Sequence, residues 1–443
     1  MNDTEILKER YELVTDRIRD IRGEHFGSAG LEKYFAFCAD FLLLIEDTRR
    51  FLEQGGFREA PLEELADRNL RLYADILPEH YAESYADPAY AKAQLGEAYG
   101  AVLCVLYAEL RSLIVFVHEG RLEELVIRME LFVEIYTAFA YGAEEGQLPS
   151  GEDIRGKLYW FVNDYASDAA LRRIQESVSP DGCFAARVLM DSDLSDVRYL
   201  YAYGEYVSES DLETARFLAK LPRETVAAMA DKLTESCRRD FEAADNGLWE
   251  KKTVGLHYRI GFERMIRRAV ENFAGLGLKP AVFRSACSVL DNRGMERSGF
   301  HGSNPNPQYD YDHRDDRALF LDRNYMNRKL EANRAAWEKY KKDAAGYAGS
   351  AVLAVFGGAD FRPEAKREAC RLTEEQRCIW AEYRSRAEEL QREYIPKETG
   401  FACAVFPTPE IGRAFREAFE ECLRINTGDI FWKIMVAYRP VFL

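Results

Sequence analysis

The chain is 443 residues long and 47% apolar, which suits two or three domains with large cores. Its 60 Lys and Arg face 76 Asp and Glu, a formal charge of −16 at pH 7. That average field repels nucleic acid and anionic membrane surfaces, and no Lys/Arg-rich block offsets it.

The N-terminus, MNDTEILKERYELV, is charged and amphipathic and lacks a signal-peptide core, so a cytoplasmic protein is expected. Leu7, Tyr11, Val14, Ile18 and Ile21 recur at helical spacing and mark one buried face. Further helices are predicted over 34–52, 62–76, 91–119 and 122–141, the last two separated by Gly120. The most apolar window, 99–117, is interrupted by Glu109 and Arg111. Charges at mid-membrane depth are costly, so the window reads as a buried helix pair and not as a bilayer span. GQLPSGED (146–153) is a loop with a helix start after it, and the aromatic run KLYWFVNDY that follows reads as core. Helices are expected over 191–206 and 209–221. Pro222 opens another, buried through Val226, Met229, Leu233, Cys237 and Phe241.

Near residue 250 the period changes. Residues 251–258 read as a strand and 259–274 as a helix buried through Phe262, Ile266, Val270 and Phe273. GLGLKP (275–280) ends that helix with a left-handed Gly and a following Pro, and 281–286 form a second strand. A helix (322–348), a strand (350–356), a helix (373–394), a strand (401–407) and a helix (409–426) complete the series. Alternation of this kind implies crossover units and a mostly parallel sheet. The expected fold class is therefore α and α/β. An all-helical region spans 1–245 and an α/β domain spans 246–443, with the boundary in AADNGLWEKK (243–252).

Nine cysteines occur without a CxxC pair, several in apolar runs, and read as reduced core residues. The stretch richest in chemistry is NPNPQYDYDHRDDRALFLD (304–322), with five aspartates and His313. It fails as a calcium loop. Counted from Asp310, positions 5, 6 and 12 are Arg314, Asp315 and Leu321, where an oxygen ligand, Gly and Glu are required. A zinc site lacks a second nearby His, since His301 lies across a Gly/Pro-rich loop, and Arg314 and Arg317 can neutralise the acids. Three readings stay open: a polar loop with ion pairs ending with Asp322 near a helix start, a ligand-contacting loop at the carboxyl edge of a parallel sheet, and a self-sufficient metal site. FGGAD (356–360) reads as a tight turn. His118-Glu119 is followed by Leu122, so HExxH fails, and no P-loop, GxSxG or dinucleotide glycine pattern occurs.

Several runs carry a family resemblance. KKTVGLHYRIGFERMIRRAVENFAGLGLKPAVFRSA (251–286), QYDYDHRDDRALFLD (308–322), YAGSAVLAVFGGADF (347–361) and AVFPTPEIG (404–412), followed by INTGD (425–429), resemble a group of bacterial leucyl aminopeptidases. That group is distantly related to the aminopeptidase T type of metallopeptidase. RLYADILPEHYAESYADPAY (71–90) and MDSDLSDVRYLYAYGEYVSE (190–209) resemble its N-terminal extension, so the likeness covers nearly the whole chain.

The resemblance implies a metal-dependent exopeptidase in which two divalent ions, held by Glu, His and Asp, polarise the scissile carbonyl and activate water. The family's metal ligands lie in a C-terminal portion beyond the point where this chain stops, and none maps onto a residue here. The expectation is thus the N-terminal portion of such an enzyme, as a truncated or frameshifted product or as a chain deliberately cut short. It would be inactive alone, with no cofactor of its own, although divalent metal ions are implied for the full-length family. Its expected partners are the missing catalytic portion or a second copy, through the apolar Phe431, Trp432, Ile434 and Phe442, and peptides when full length. Asp312, His313 and Arg314 are the expected substrate or interdomain contacts. The competing reading is a non-catalytic helical plus α/β scaffold for dimerisation, partner or small-molecule binding.

Overall fold

The computed structural model describes residues 3–243, 250–284, 290, 299–397 and 399–428, with the backbone alone at residue 3 and at 240–243. The first half is helical: α1 (Asp3–Ile21), α2 (Ala29–Glu53), α3 (Gly56–Glu59), α4 (Leu62–Tyr73), α5 (Pro88–Leu110), α6 (Leu113–Glu119), α7 (Leu122–Glu144), α8 (Gly151–Asp164), α9 (Ala166–Val178), α10 (Phe184–Asp191), α11 (Glu209–Lys220) and α12 (Arg223–Ala243). Local chemistry sets their ends. Asp87 accepts from the Ala89 and Tyr90 amides with Pro88 in the first turn of α5. Reciprocal capping boxes start α8 (Ser150 and Asp153) and α11 (Ser208 and Asp211). Tyr11, Val14, Ile18 and Ile21 are buried along one face of α1.

The expected helix over 91–119 is broken at Arg111 and Ser112 into α5 and α6. By length and composition, Tyr81–Glu119 contains a window apolar enough to cross a membrane, and 89% of that window is buried inside the fold. Its two charges are satisfied there. Glu109, fully buried, accepts from Arg128 Nε at 2.8 Å, and Arg111 pairs with Asp75. Only Val197–Tyr203, a 3-10 turn, is helical between α10 and α11, in place of the helix expected over 191–206.

The second half alternates as expected: β1 (Thr253–Arg259), α13 (Glu263–Gly275), β2 (Lys279–Ala281), β3 (Phe300–His301), α14 (Pro307–Asp312), α15 (Arg323–Lys339), α16 (Lys341–Ala345), β4 (Tyr347–Phe356), α17 (Glu374–Tyr394), β5 (Gly400–Pro407) and α18 (Phe415–Thr427). Every named strand pair is parallel, in the order β2-β1-β4-β5, and β2 and β3 pair with successive stretches of β1. The architecture is a helical region followed by a parallel-sheet α/β region. Three boundaries differ from expectation. Strand β1 runs on to Arg259 because Tyr258 and Ile260 donate to Gly299 and His301, and α13 starts only after the turn at Gly261. Of the expected strand at 281–286, Ala281 ends β2 and Arg284 forms isolated bridges to Gly299 and Phe300, while residues 285 and 286 lie outside the described residues. The segment Asp322–Ala348 divides into α15, α16 and the start of β4.

Packing does not divide at residue 245. One core joins α1, α2 and α5–α8 to Tyr309, Phe320, Leu321, Tyr325, Met326, Leu330, Ile379 and Tyr383 from the second half. The other joins α10–α12 to the sheet, with Leu189, Leu218, Met229 and Leu233 packed among Val254, Leu256, Ala402 and Phe406. A third cluster seams α9 to α15 and α17 through Ala170, Ile174, Ala336, Trp337 and Leu390. A parallel sheet must be covered on both faces, and here helices from the first half supply much of that cover. Most of the boundary segment 243–252 and the apolar Phe431, Trp432, Ile434 and Phe442 lie outside the described residues.

Candidate functional site

Topology singles out one edge of the sheet. The connection leaving β1 leads through α13 to β2 on one side, while that leaving β4 leads through α17 to β5 on the other. Diverging connections open a crevice at the carboxyl ends of β1 and β4, the switch point where open α/β sheets place their ligands. Arg259, the last residue of β1, stands there. Its Nε donates to Asp211 Oδ1 at 2.8 Å, and its Nη2 donates to Ser303 Oγ at 2.5 Å and Glu410 Oε1 at 2.7 Å. Ser303 in turn donates to Asp211 Oδ2 at 2.6 Å, which also accepts from Ser208 Oγ at 2.9 Å. Burial works against the guanidinium charge, and Asp211 and Glu410 outweigh it, so Arg259 is held above its ordinary value. Asp211 is fully buried, whereas Glu410 keeps 31% of its side chain exposed.

Glu263, the first residue of α13, lies one turn beyond. Oε2 of its buried carboxyl accepts from the Tyr199 hydroxyl at 2.9 Å and the Gly261 amide at 2.7 Å. Burial dominates and pushes this carboxyl up to about 7, against the opposing pull of those donors. FGGAD does not form the expected tight turn: after Phe356 ends β4, residues 357–360 are irregular with no turn, and packing explains the first glycine. Gly357 has φ 113°, and a Cβ there would sit 2.0 Å from Ile411 Cγ2, so the glycine makes room for the connection after β5.

The aspartate-rich stretch is pulled into the interior. Asp310, Asp312, His313 and Asp316 are buried. His313 Nδ1 lies 2.8 Å from Asp316 Oδ2, and its Nε2 lies 2.7 Å from the Ala86 carbonyl, so both ring nitrogens are occupied. Asp312 accepts from the Tyr81 hydroxyl at 2.9 Å and Gln308 Nε2 at 2.8 Å, and pairs with Lys366 Nζ at 2.9 Å. Lys366 also reaches Asp87 Oδ2 at 2.6 Å and lies over the Tyr81 ring. Burial opposes the Lys366 charge, but the two aspartates raise it above its ordinary value. Asp322 caps α15 by accepting from the Tyr325 amide at 2.7 Å. Of the three expected contact residues, Asp312 and His313 thus join the 307–316 segment to the Tyr81–Asp87 segment inside this chain. Arg314 is half-buried, stacked on the Tyr311 ring at 3.7 Å.

Arg314 also lines a cleft open to solvent. The cleft, about 290 Å³, is bounded by Tyr311, Arg314, Asp315, Ala365, Arg371, Leu372 and Arg377. Lys366, Arg371 and Arg377 carry no local sequence signal, because each matters only through where residues 357–377 run.

Among the described residues no group of three or more His, Cys, Asp or Glu could hold an ion, and in the aspartate-rich stretch the His313 imidazole is already bonded on both sides. Cys38, Cys104, Cys237 and Cys403 are buried, as core residues. Compared with protein-family models, with curated proteins and with solved structures, the chain finds no match.

Proposed function

We propose that this chain is the metal-free portion of a metal-dependent aminopeptidase of the leucyl type, with the divalent ions and their ligands brought by polypeptide outside these 443 residues. The observation that carries the reading is spatial. Three of the sequence runs that resemble the aminopeptidase group, the first, third and fourth, far apart along the chain, meet at the carboxyl edge of the sheet. Arg259 of the first run is ion-paired at 2.7 Å with Glu410 of the fourth. Gly357 and Gly358 of the third pack against Ile411 and Glu410 of the fourth. In the second run, the Gln308 side chain brackets the Glu364 backbone just beyond the third, at 2.8 and 2.9 Å. A binding edge assembled from such segments is where an α/β module contributes to a site. No hydrolytic step is assigned to residues of this chain, because its described donors do not fit the metals.

The test is release of 4-nitroaniline from leucine 4-nitroanilide, together with element analysis. It is run on the 443-residue chain and on the product of the reading frame carried past Leu443. Metal-dependent release by the longer product alone is the expected result. A longer product that binds no metal and releases no amine overturns the reading, as does a stop after Leu443 with no metallopeptidase coding sequence following in any frame.

A further inference from the structure

We propose that the cleft between residues 311–315 and 365–377 is a binding site for a small organic anion, gripped through its carboxylate or phosphate oxygens by Arg314, Arg371 and Arg377. This assignment is independent of the peptidase reading.

Three features carry it. The first is the donor set. Three arginines line one cleft of about 290 Å³ beside Asp315, and Arg377 is also ion-paired with Glu374 at 2.7 Å. Each guanidinium is oriented by a main-chain carbonyl: Arg314 by Tyr311, Arg371 by Lys366 at 3.1 Å and Arg377 by Leu372 at 3.1 Å. Arg314 is further flattened on the Tyr311 ring, and its nearest carboxylate oxygen, on Asp315, is 3.9 Å away, beyond hydrogen-bond reach. A guanidinium fixed in this way still presents N–H groups suited to a planar or tetrahedral oxyanion.

The second feature is rigidity, because the two walls are pinned together from below. The Gln308 amide brackets the Glu364 backbone. Lys366 is ion-paired to buried Asp312 at 2.9 Å. Gln376 Nε2 donates to the Ala318 and Leu321 carbonyls at 3.0 Å each. The backbone that carries the arginines is therefore already held in the free protein, which lowers the ordering cost of binding. The third feature is shape. Tyr311, Leu372 and Ala365 give the cleft an apolar wall for the carbon part of the ligand.

The surrounding charge sharpens the test. At a net −16 the protein repels anions on average, so saturable anion binding requires a built site. Isothermal titration of the intact chain at low ionic strength, with inorganic phosphate in one arm and succinate in the other, is expected to show one saturable site with a Kd on the order of 1 mM or tighter. The tighter arm identifies the preferred oxyanion. Arg314→Gln and Arg371→Gln should each weaken binding about tenfold or more while the circular dichroism spectrum is unchanged. Arg386→Gln, on the exposed side of α17, should leave binding as it was. Absence of saturation in both arms overturns the proposal. So does binding that the Arg314 and Arg371 substitutions leave intact, or that Arg386→Gln weakens equally.

Discussion

Lys366→Met tests whether the buried knot around Asp312 holds residues 357–373 to the helical region. The lysine side chain is only 12% exposed, and it stands between two carboxylates, Asp87 (6%) and Asp312 (0%). Methionine keeps most of the apolar stem but removes the charged ammonium, which lies over the Tyr81 ring. Breaking a buried pair by deleting one partner costs about 3–5 kcal/mol, since the other charge is left uncompensated. Here Asp312 retains Tyr81 and Gln308 as donors, and Asp87 retains the Ala89 amide, which places the loss near the low end, about 3 kcal/mol. The assay is urea unfolding followed by circular dichroism and tryptophan fluorescence, accepted as a single free energy only where both transitions coincide. Hydrogen exchange over residues 357–373 is measured alongside and should accelerate selectively. The double variant Lys366→Met/Asp312→Asn, which removes one stranded charge, should recover about 1 kcal/mol or more. A single variant within about 0.5 kcal/mol of wild type, with unchanged exchange, refutes the knot as the anchor.

The remaining expectations concern the sheet and its edge. Glu263 has a folded value raised from 4.5 to about 7, so across that window the native chain binds more protons than the unfolded chain. Its contribution is therefore most favourable below the unfolded value and is lost as pH rises towards 7, a swing of up to about 3 kcal/mol. Glu263→Gln should flatten that slope, and a wild-type minus variant difference that does not change between about pH 4.5 and 8 contradicts it. Gly349→Ala should cost about 3 kcal/mol or more, or prevent folding. Its φ is 138°, and a Cβ there would meet the Gly400 carbonyl oxygen at 1.9 Å, a backbone obstacle between β4 and β5 that cannot rotate away. The control is Gly156→Ala within α8, where nothing lies within 4 Å, and it should be neutral or stabilising by up to about 1 kcal/mol in the same melts.

The sequence by itself determined the elements. Tyr11, Val14, Ile18 and Ile21 could be placed on one face of α1, and the Thr373 start of α17 and the strands at β1, β4 and β5 could be read, because helix periodicity, capping and strand composition act over a few residues. The alternation of strand and helix also dictated a parallel sheet. Tertiary structure alone decided what those elements do to one another. Arg259 could have been the first residue of an amphipathic helix. It ends a strand because β3 hydrogen-bonds to its neighbours and because Asp211, 48 positions earlier, receives its charge. The aspartates and histidine at 310–316 looked the same in sequence whether solvated, metal-binding or buried. Burial was settled by Ala86, 227 residues before His313, and by the Lys366–Asp87 pair, 279 residues apart. Ion pairs of that reach depend on the path of the whole backbone, and no short window of residues encodes it.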